Sequence, residues 1–100
     1  MLRIQRNDTS AHTVILILQG RIVADWADLL ERECLELLRS ERCVVLDLAD
    51  VVFIGRSGLE ALGRVVRAGA RVIGCTPLFA AMLKEEGISQ TVRTRKEKSS

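Results

Sequence analysis

One hundred residues make one domain, and a 48% share of hydrophobic residues is enough to build a core without disulfides or a structural metal. The net charge of +2 is uneven: Arg93, Arg95, Lys96 and Lys98 crowd the last eight positions with one acid, Glu97, leaving eleven bases against twelve acids over residues 1–92. A body so balanced has no basic stripe with interleaved aromatics for nucleic acid, and no apolar run approaches the ~20 residues that cross a bilayer.

Leu2–Arg6 alternates apolar and polar residues, as a half-exposed edge strand does. Asn7-Asp8-Thr9-Ser10 is a turn cluster, and the returning strand, His12–Leu18, is expected to end at Gln19-Gly20. His12 is the only histidine, and its place among turn residues points it to solvent. Residues 25–40 read as an amphipathic helix with Asp25 as N-cap. Trp26, Leu30, Cys34 and Leu37 form its buried stripe, Leu29, Leu35 and Leu38 widen it, and Asp28–Arg32 and Glu36–Arg39 pair on the surface. Val44–Leu48 is an apolar strand broken only by Asp47, followed by a second apolar run, Val51–Ile54. Gly55-Arg56-Ser57-Gly58 then opens a helix over 57–68 with Leu59, Leu62 and Val66 inward, Glu60–Arg64 paired outside and Gly63 permitting close packing on the sheet. Gly69 ends it, and Ala70–Gly74 is a short strand. Thr76-Pro77 is an N-cap with proline at the first helical position, starting a helix over 77–86 with Phe79, Met82 and Leu83 inward and Gly87 as its stop. The order ββαβαβα predicts an α/β domain, a mixed four-stranded sheet with right-handed parallel crossovers and packed helices. The domain spans 1–92, and 93–100 is a basic, disordered tail.

Cys34, Cys43 and Cys75 form no Cys-x-x-Cys pair and sit in apolar settings, which suits buried, reduced thiols. Met1–Asp8 is too polar for a cleavable leader, so the chain is expected in the cytoplasm. A lone histidine and the lack of a Gly-x-Ser-x-Gly elbow leave Ser57 without a base. Gly55-Arg56-Ser57-Gly58 is also too short, and lacks the lysine, for a nucleotide-binding loop. The sequence therefore predicts no catalytic residue, no metal and no cofactor. Ser57 has two readings. It caps its own helix, worth about 1 kcal/mol, or it is a hydroxyl presented at a helix start, where a phosphate is electrostatically welcome.

The chain resembles the STAS family, the domain of bacterial anti-sigma-factor antagonists. Val44–Leu48 matches the family's apolar strand with Asp-Leu, Val51–Ile54 its apolar approach, Ser57-Gly58-Leu59 its turn, and Gly69-Ala70-Arg71-Val72 its next strand. Gly20 and the helix from Thr76-Pro77 also fit, so the resemblance covers about residues 2–92. It implies a non-catalytic, protein-binding regulatory module. By the same resemblance, Ser57 matches the position that a partner serine kinase, itself the anti-sigma factor, phosphorylates in the family's antagonists, and Gly55, Arg56, Ser57 and Gly58 are expected as partner-binding positions. Two departures stand out: the aspartate of the family's Asp-x-Ser-Gly turn is Gly55, and the aspartate after its early Gly-x-x is Val23. The family's short C-terminal helix gives way to the charged tail. These departures keep a second reading open, an adaptor that is not phosphorylated and docks on the ATPase of an ABC transporter.

Overall fold

The computed structural model describes residues 2–85 and 92–94. Its elements run β1 (Leu2–Asp8), β2 (Thr13–Ile22), α1 (Ala24–Arg39), β3 (Cys43–Ile54), α2 (Arg56–Arg67), β4 (Arg71–Cys75), α3 (Pro77–Glu85) and β5 (Val92–Thr94). The strands lie side by side in chain order, with β1 antiparallel to β2 and every later pair parallel. This is the expected mixed sheet of four strands and three helices, extended by one short edge strand. Val92 lies opposite Val72 and Thr94 opposite Cys75, which supplies partners to an edge of β4 that would otherwise be open. Arg93 and Thr94, expected in the tail, therefore belong to the sheet. Residues 95–100 and the helix stop at Gly87 lie outside the described residues.

Alternation decides which side of the sheet is core. Val14, Leu16 and Leu18 of β2, Val44, Leu46 and Leu48 of β3 and Val72 of β4 point one way and are buried. They meet Leu30, Cys34, Leu62, Val65, Phe79 and Leu83 from the helices in one cluster. Neighbouring parallel strands joined by right-handed crossovers must place all three helices on one face. The other face carries Ile15, Ile17, Val45 and Ile73, half-buried by their neighbours.

Several local expectations shift. β2 runs on past Gly20, which sits at φ +105° where the β2–β3 register slips. A residue with a side chain would be strained there. β3 takes in the polar break as well: Asp47 Oδ1 accepts the Ala49 N–H at 3.0 Å, supporting the irregularity that lets one strand reach Ile54. α1 starts one residue before Asp25, at Val23–Ala24, and no side chain of its own caps it. Its buried stripe is Ala27, Leu30, Cys34 and Leu37. Trp26 falls beside that stripe and is 37% exposed, because α1 leans toward α2 rather than over the outer strand β1. In α2 the fully buried positions are Gly58, Ala61, Leu62, Gly63 and Val65, with Leu59 and Val66 at the margin. The expected pairs within helices give way to a bond between them, for Arg64 donates to both carboxylate oxygens of Glu31 at 2.8 and 3.0 Å. Thr76 does cap α3, its Oγ1 accepting the Phe79 N–H at 3.2 Å. Cys34 and Cys75 are buried, whereas Cys43 is exposed at the first position of β3, where the strand has only begun to enter the sheet.

Candidate functional site at the head of the second helix

Parallel strands bring their C-terminal ends to one edge of a sheet, and the connections that follow gather there. In this chain three of them are one residue long, Thr76 between β4 and α3 among them. Val23 joins β2 to α1, and Gly55 joins β3 to α2. The two lie against each other: the Gly55 N–H donates to the Ile22 carbonyl at 3.0 Å, and Gly55 O accepts from Leu59 N at 2.9 Å to open α2. Gly55 takes extended backbone as the N-cap position of α2. Gly58 is buried, and a Cβ there would collide with the Ile22 carbonyl oxygen and come within 2.9 Å of Ile22 Cγ2 and 3.1 Å of Ile54 Cγ2. Glycine is what lets α2 start so close to the end of β2.

Ser57 is the second residue of α2 and is exposed. It does not cap its own helix, since no side chain does so at that end. Its Oγ instead accepts the Ala24 N–H at 3.1 Å. Thus Ser57 satisfies one of the free donors at the start of α1, across the gap between the two connections. No acceptor among the described residues takes the hydroxyl proton of Ser57, which is left for an incoming group. Arg56 projects outward, 80% exposed, with Glu60 3.9 Å away. A pair so open contributes at most about 1 kcal/mol.

The structure thus brings Gly55, Arg56, Ser57 and Gly58 into one turn, and adds residues that the sequence reading passed over. Val52 is 69% and Phe53 49% exposed just before the turn, and Leu78, in the first turn of α3, is 66% exposed. The signal was present in Val51–Ile54, four consecutive apolar residues in a strand. Successive side chains of a strand alternate sides, so only some of them could enter the core on the helix face. Ala24 carried no signal, because its part in the site is an amide.

The chemistry available is that of an exposed hydroxyl at the positive end of a helix. His12 lies at the opposite end of β2, about 30 Å away by strand rise. Among the described residues no group of three His, Cys, Asp or Glu side chains is placed to hold a metal, and no helix is long and apolar enough to cross a membrane.

Comparison with known proteins bears on the fold that positions this turn. The structure superposes on the anti-sigma factor antagonist SpoIIAA in its unphosphorylated form with a TM-score of 0.76, at 14% identity, covering 97% of this chain and 92% of that one. An anti-sigma factor antagonist from Mycobacterium paratuberculosis matches with a TM-score of 0.77 at 19% identity, covering 97% and 88%. The Bacillus cell fate determinant SpoIIAA in its phosphorylated form gives 0.74 at 11% identity, covering 97% and 96%. At these identities the likeness is one of fold. Comparison with curated protein sequences gives no match. The model of the STAS domain, however, matches residues 3–95, from the first strand through the turn at Ser57 to the edge strand, and on that match this chain belongs to the STAS domain family.

Proposed function

We propose that this chain is a non-catalytic regulatory module that binds a protein partner at the edge formed by Val52, Phe53 and the Gly55–Ser57 turn, with Ser57 as the regulated position. The partner is an anti-sigma factor that is also a serine kinase. One observation carries the reading: Ser57 stands exposed at the head of α2 with its hydroxyl proton uncommitted, a few residues after Val52 and Phe53, two apolar side chains at the end of β3 that the fold leaves in solvent. Apolar groups that one surface leaves uncovered are what a protein partner buries. A dianionic phosphate set among them would oppose that burial, which makes phosphorylation an off signal. Solved proteins of this fold include anti-sigma factor antagonists, one of them in both unphosphorylated and phosphorylated forms, which supports reading this chain as such a module.

A second reading is favoured by Gly55 and Val23, which remove both carboxylates that flank the serine in the family's antagonists. Without them the same edge serves an adaptor that docks on a transporter ATPase and is never phosphorylated. One experiment separates the two. A serine kinase or a transporter ATPase, whichever the neighbouring genes prove to encode, is used to capture wild type, Ser57→Ala and Ser57→Asp, with thermal melts of all three. The switch reading expects Ser57→Asp to lose most capture while melting normally, and Ser57→Ala to bind like wild type with a stability loss of about 0.5–2 kcal/mol from the missing cap on α1. Equal capture of all three proteins by the kinase would end the switch reading, and equal capture by the ATPase would establish the adaptor.

A further inference from the structure

The bond from Ala24 to Ser57 holds more than a helix end. Ala24 sits at φ +49°, in the left-handed region that alanine occupies only under strain. It is the second residue of a tight turn closed by the Trp26 N–H donating to the Val23 carbonyl at 3.0 Å. Val23 is extended, at φ −140° and ψ 153°. The peptide between Val23 and Ala24 therefore has two uses in one orientation. Its N–H meets Ser57 Oγ and its C=O meets the Trp26 amide. Turning that peptide plane over would carry Ala24 to a negative φ and relieve the strain, and both bonds would be given up together. Among the described residues, Ser57 Oγ is the only group on the far side of the gap that holds the peptide where it is.

Trp26 stands at the end of this turn, and its surroundings make it a second surface. Together with Leu29 it walls a groove of about 310 Å³ between α1 and β1, facing Leu2, Ile4 and Arg6. This groove lies on the side of α1 away from Ser57. We propose that the Ser57 hydroxyl acts as a latch on the Val23–Ala24 peptide, so that occupying or removing it lets the first turn of α1 flip and reshapes the Trp26 groove. When a kinase transfers the terminal phosphoryl group of a nucleoside triphosphate to Oγ, the hydroxyl proton leaves, an O–P bond forms and the diphosphate departs. The resulting ester oxygen is a poorer acceptor, and the phosphate crowds the Ala24 amide. The latch opens, and a chemical event on the α2 side is read out on the β1 side, through a two-state element of one peptide.

The inference deepens the reading of Ser57 as the regulated position and rests on it for what occupies the hydroxyl. The coupling itself is tested on the isolated chain without any partner, so failure of partner capture and failure of the latch are distinguishable. Trp26 is the only tryptophan and the chain has no tyrosine, so its emission and its quenching by acrylamide report the groove directly. Amide hydrogen exchange at Ala24 reports the latch. Ser57→Ala is expected to speed exchange at Ala24 about five- to tenfold, the loss of one hydrogen bond, and to shift Trp26 emission and quenching. Ser57→Thr, which keeps the hydroxyl, is expected to match wild type in both. The double variant Ala24→Gly, Ser57→Ala is the decisive control. Glycine bears φ +49° without strain, so the peptide has no reason to flip and the Trp26 signal should return to that of wild type. Trp26 emission and quenching unchanged in Ser57→Ala would overturn the latch, whatever happens at the Ala24 amide. So would a Trp26 shift that persists in the double variant.

Discussion

Replacing Gly58 by alanine tests whether the close approach of α2 to the end of β2 supports the whole edge. The added Cβ would run into the Ile22 carbonyl oxygen, with Ile22 Cγ2 at 2.9 Å and Ile54 Cγ2 at 3.1 Å. The methyl branches have little room, because Ile22 and Ile54 are buried at 0% and 2% exposure, and the carbonyl belongs to backbone held in the sheet. The helix start must therefore retreat. Overpacking of a tight site costs about 1–3 kcal/mol, and retreat also strains the bond from Gly55 N to Ile22 O, worth about 1 kcal/mol. Alanine returns up to about 1 kcal/mol through its better helix propensity. The net expectation is a loss of about 2–3 kcal/mol, read by thermal or urea denaturation. For a domain of this size that is a fall in Tm of about 10–20 °C. Gly55→Ala is the comparison, since the nearest atoms to its Cβ would be side-chain carbons of Val23 at 3.0 Å and Phe53 at 3.6 Å, with the Ile22 carbonyl no nearer than 3.8 Å. It should cost less than about 1 kcal/mol. If Gly58→Ala melts within two or three degrees of wild type, about the spread of a harmless surface change, the close approach is not what holds this edge together.

Three more expectations follow from the core and the caps. Leu62→Ala empties a fully buried position facing the sheet and should cost about 2–5 kcal/mol in urea denaturation. Thr76→Ala removes the acceptor of the Phe79 amide and should lower stability by about 0.5–2 kcal/mol, with the far-ultraviolet spectrum retained. Burial pushes the Cys34 thiol up to about 12 and the Cys75 thiol up to about 11, while Cys43 is exposed. Native protein at pH 8 should therefore take up one equivalent of a thiol reagent at Cys43, and the other two only on unfolding, as mass spectrometry of peptides will show.

The order of strands and helices was legible because each carries its own period and punctuation. The alternation in β2 and β3 and the cap at Thr76-Pro77 all hold in the structure. Boundaries were less so, for reasons that lie outside the local pattern. β3 runs through Asp50 because a side-chain bond from Asp47 bridges the irregularity. Trp26 misled because its spacing suits the stripe as well as Ala27 does. Only the tilt of α1 toward α2, clasped by Glu31 and Arg64, decides between the two. The turn at Ser57 was readable as a place. Its partner was not, since the group that meets the hydroxyl is the backbone amide of Ala24, thirty-three positions earlier, and an amide leaves no mark in the sequence.

That last point bears on the two departures from the family pattern. An acid at position 23 would stand one residue before the amide that Ser57 holds, and an acid at 55 two residues before Ser57 itself. Either would place negative charge beside the hydroxyl and offer another acceptor at a helix start. With valine and glycine in those places, the amide of Ala24 has Ser57 Oγ as its acceptor, and the serine takes on a structural duty as well as any signalling one. The nearest fixed charge in the turn is then Arg56, which favours an anion at Ser57. Where the family pattern has carboxylates that would compete with a phosphate, this edge has a backbone amide bonded to the hydroxyl. Under the switch reading, a phosphate on Ser57 would both add charge to the docking edge and disturb the bond that the hydroxyl makes to the Ala24 amide.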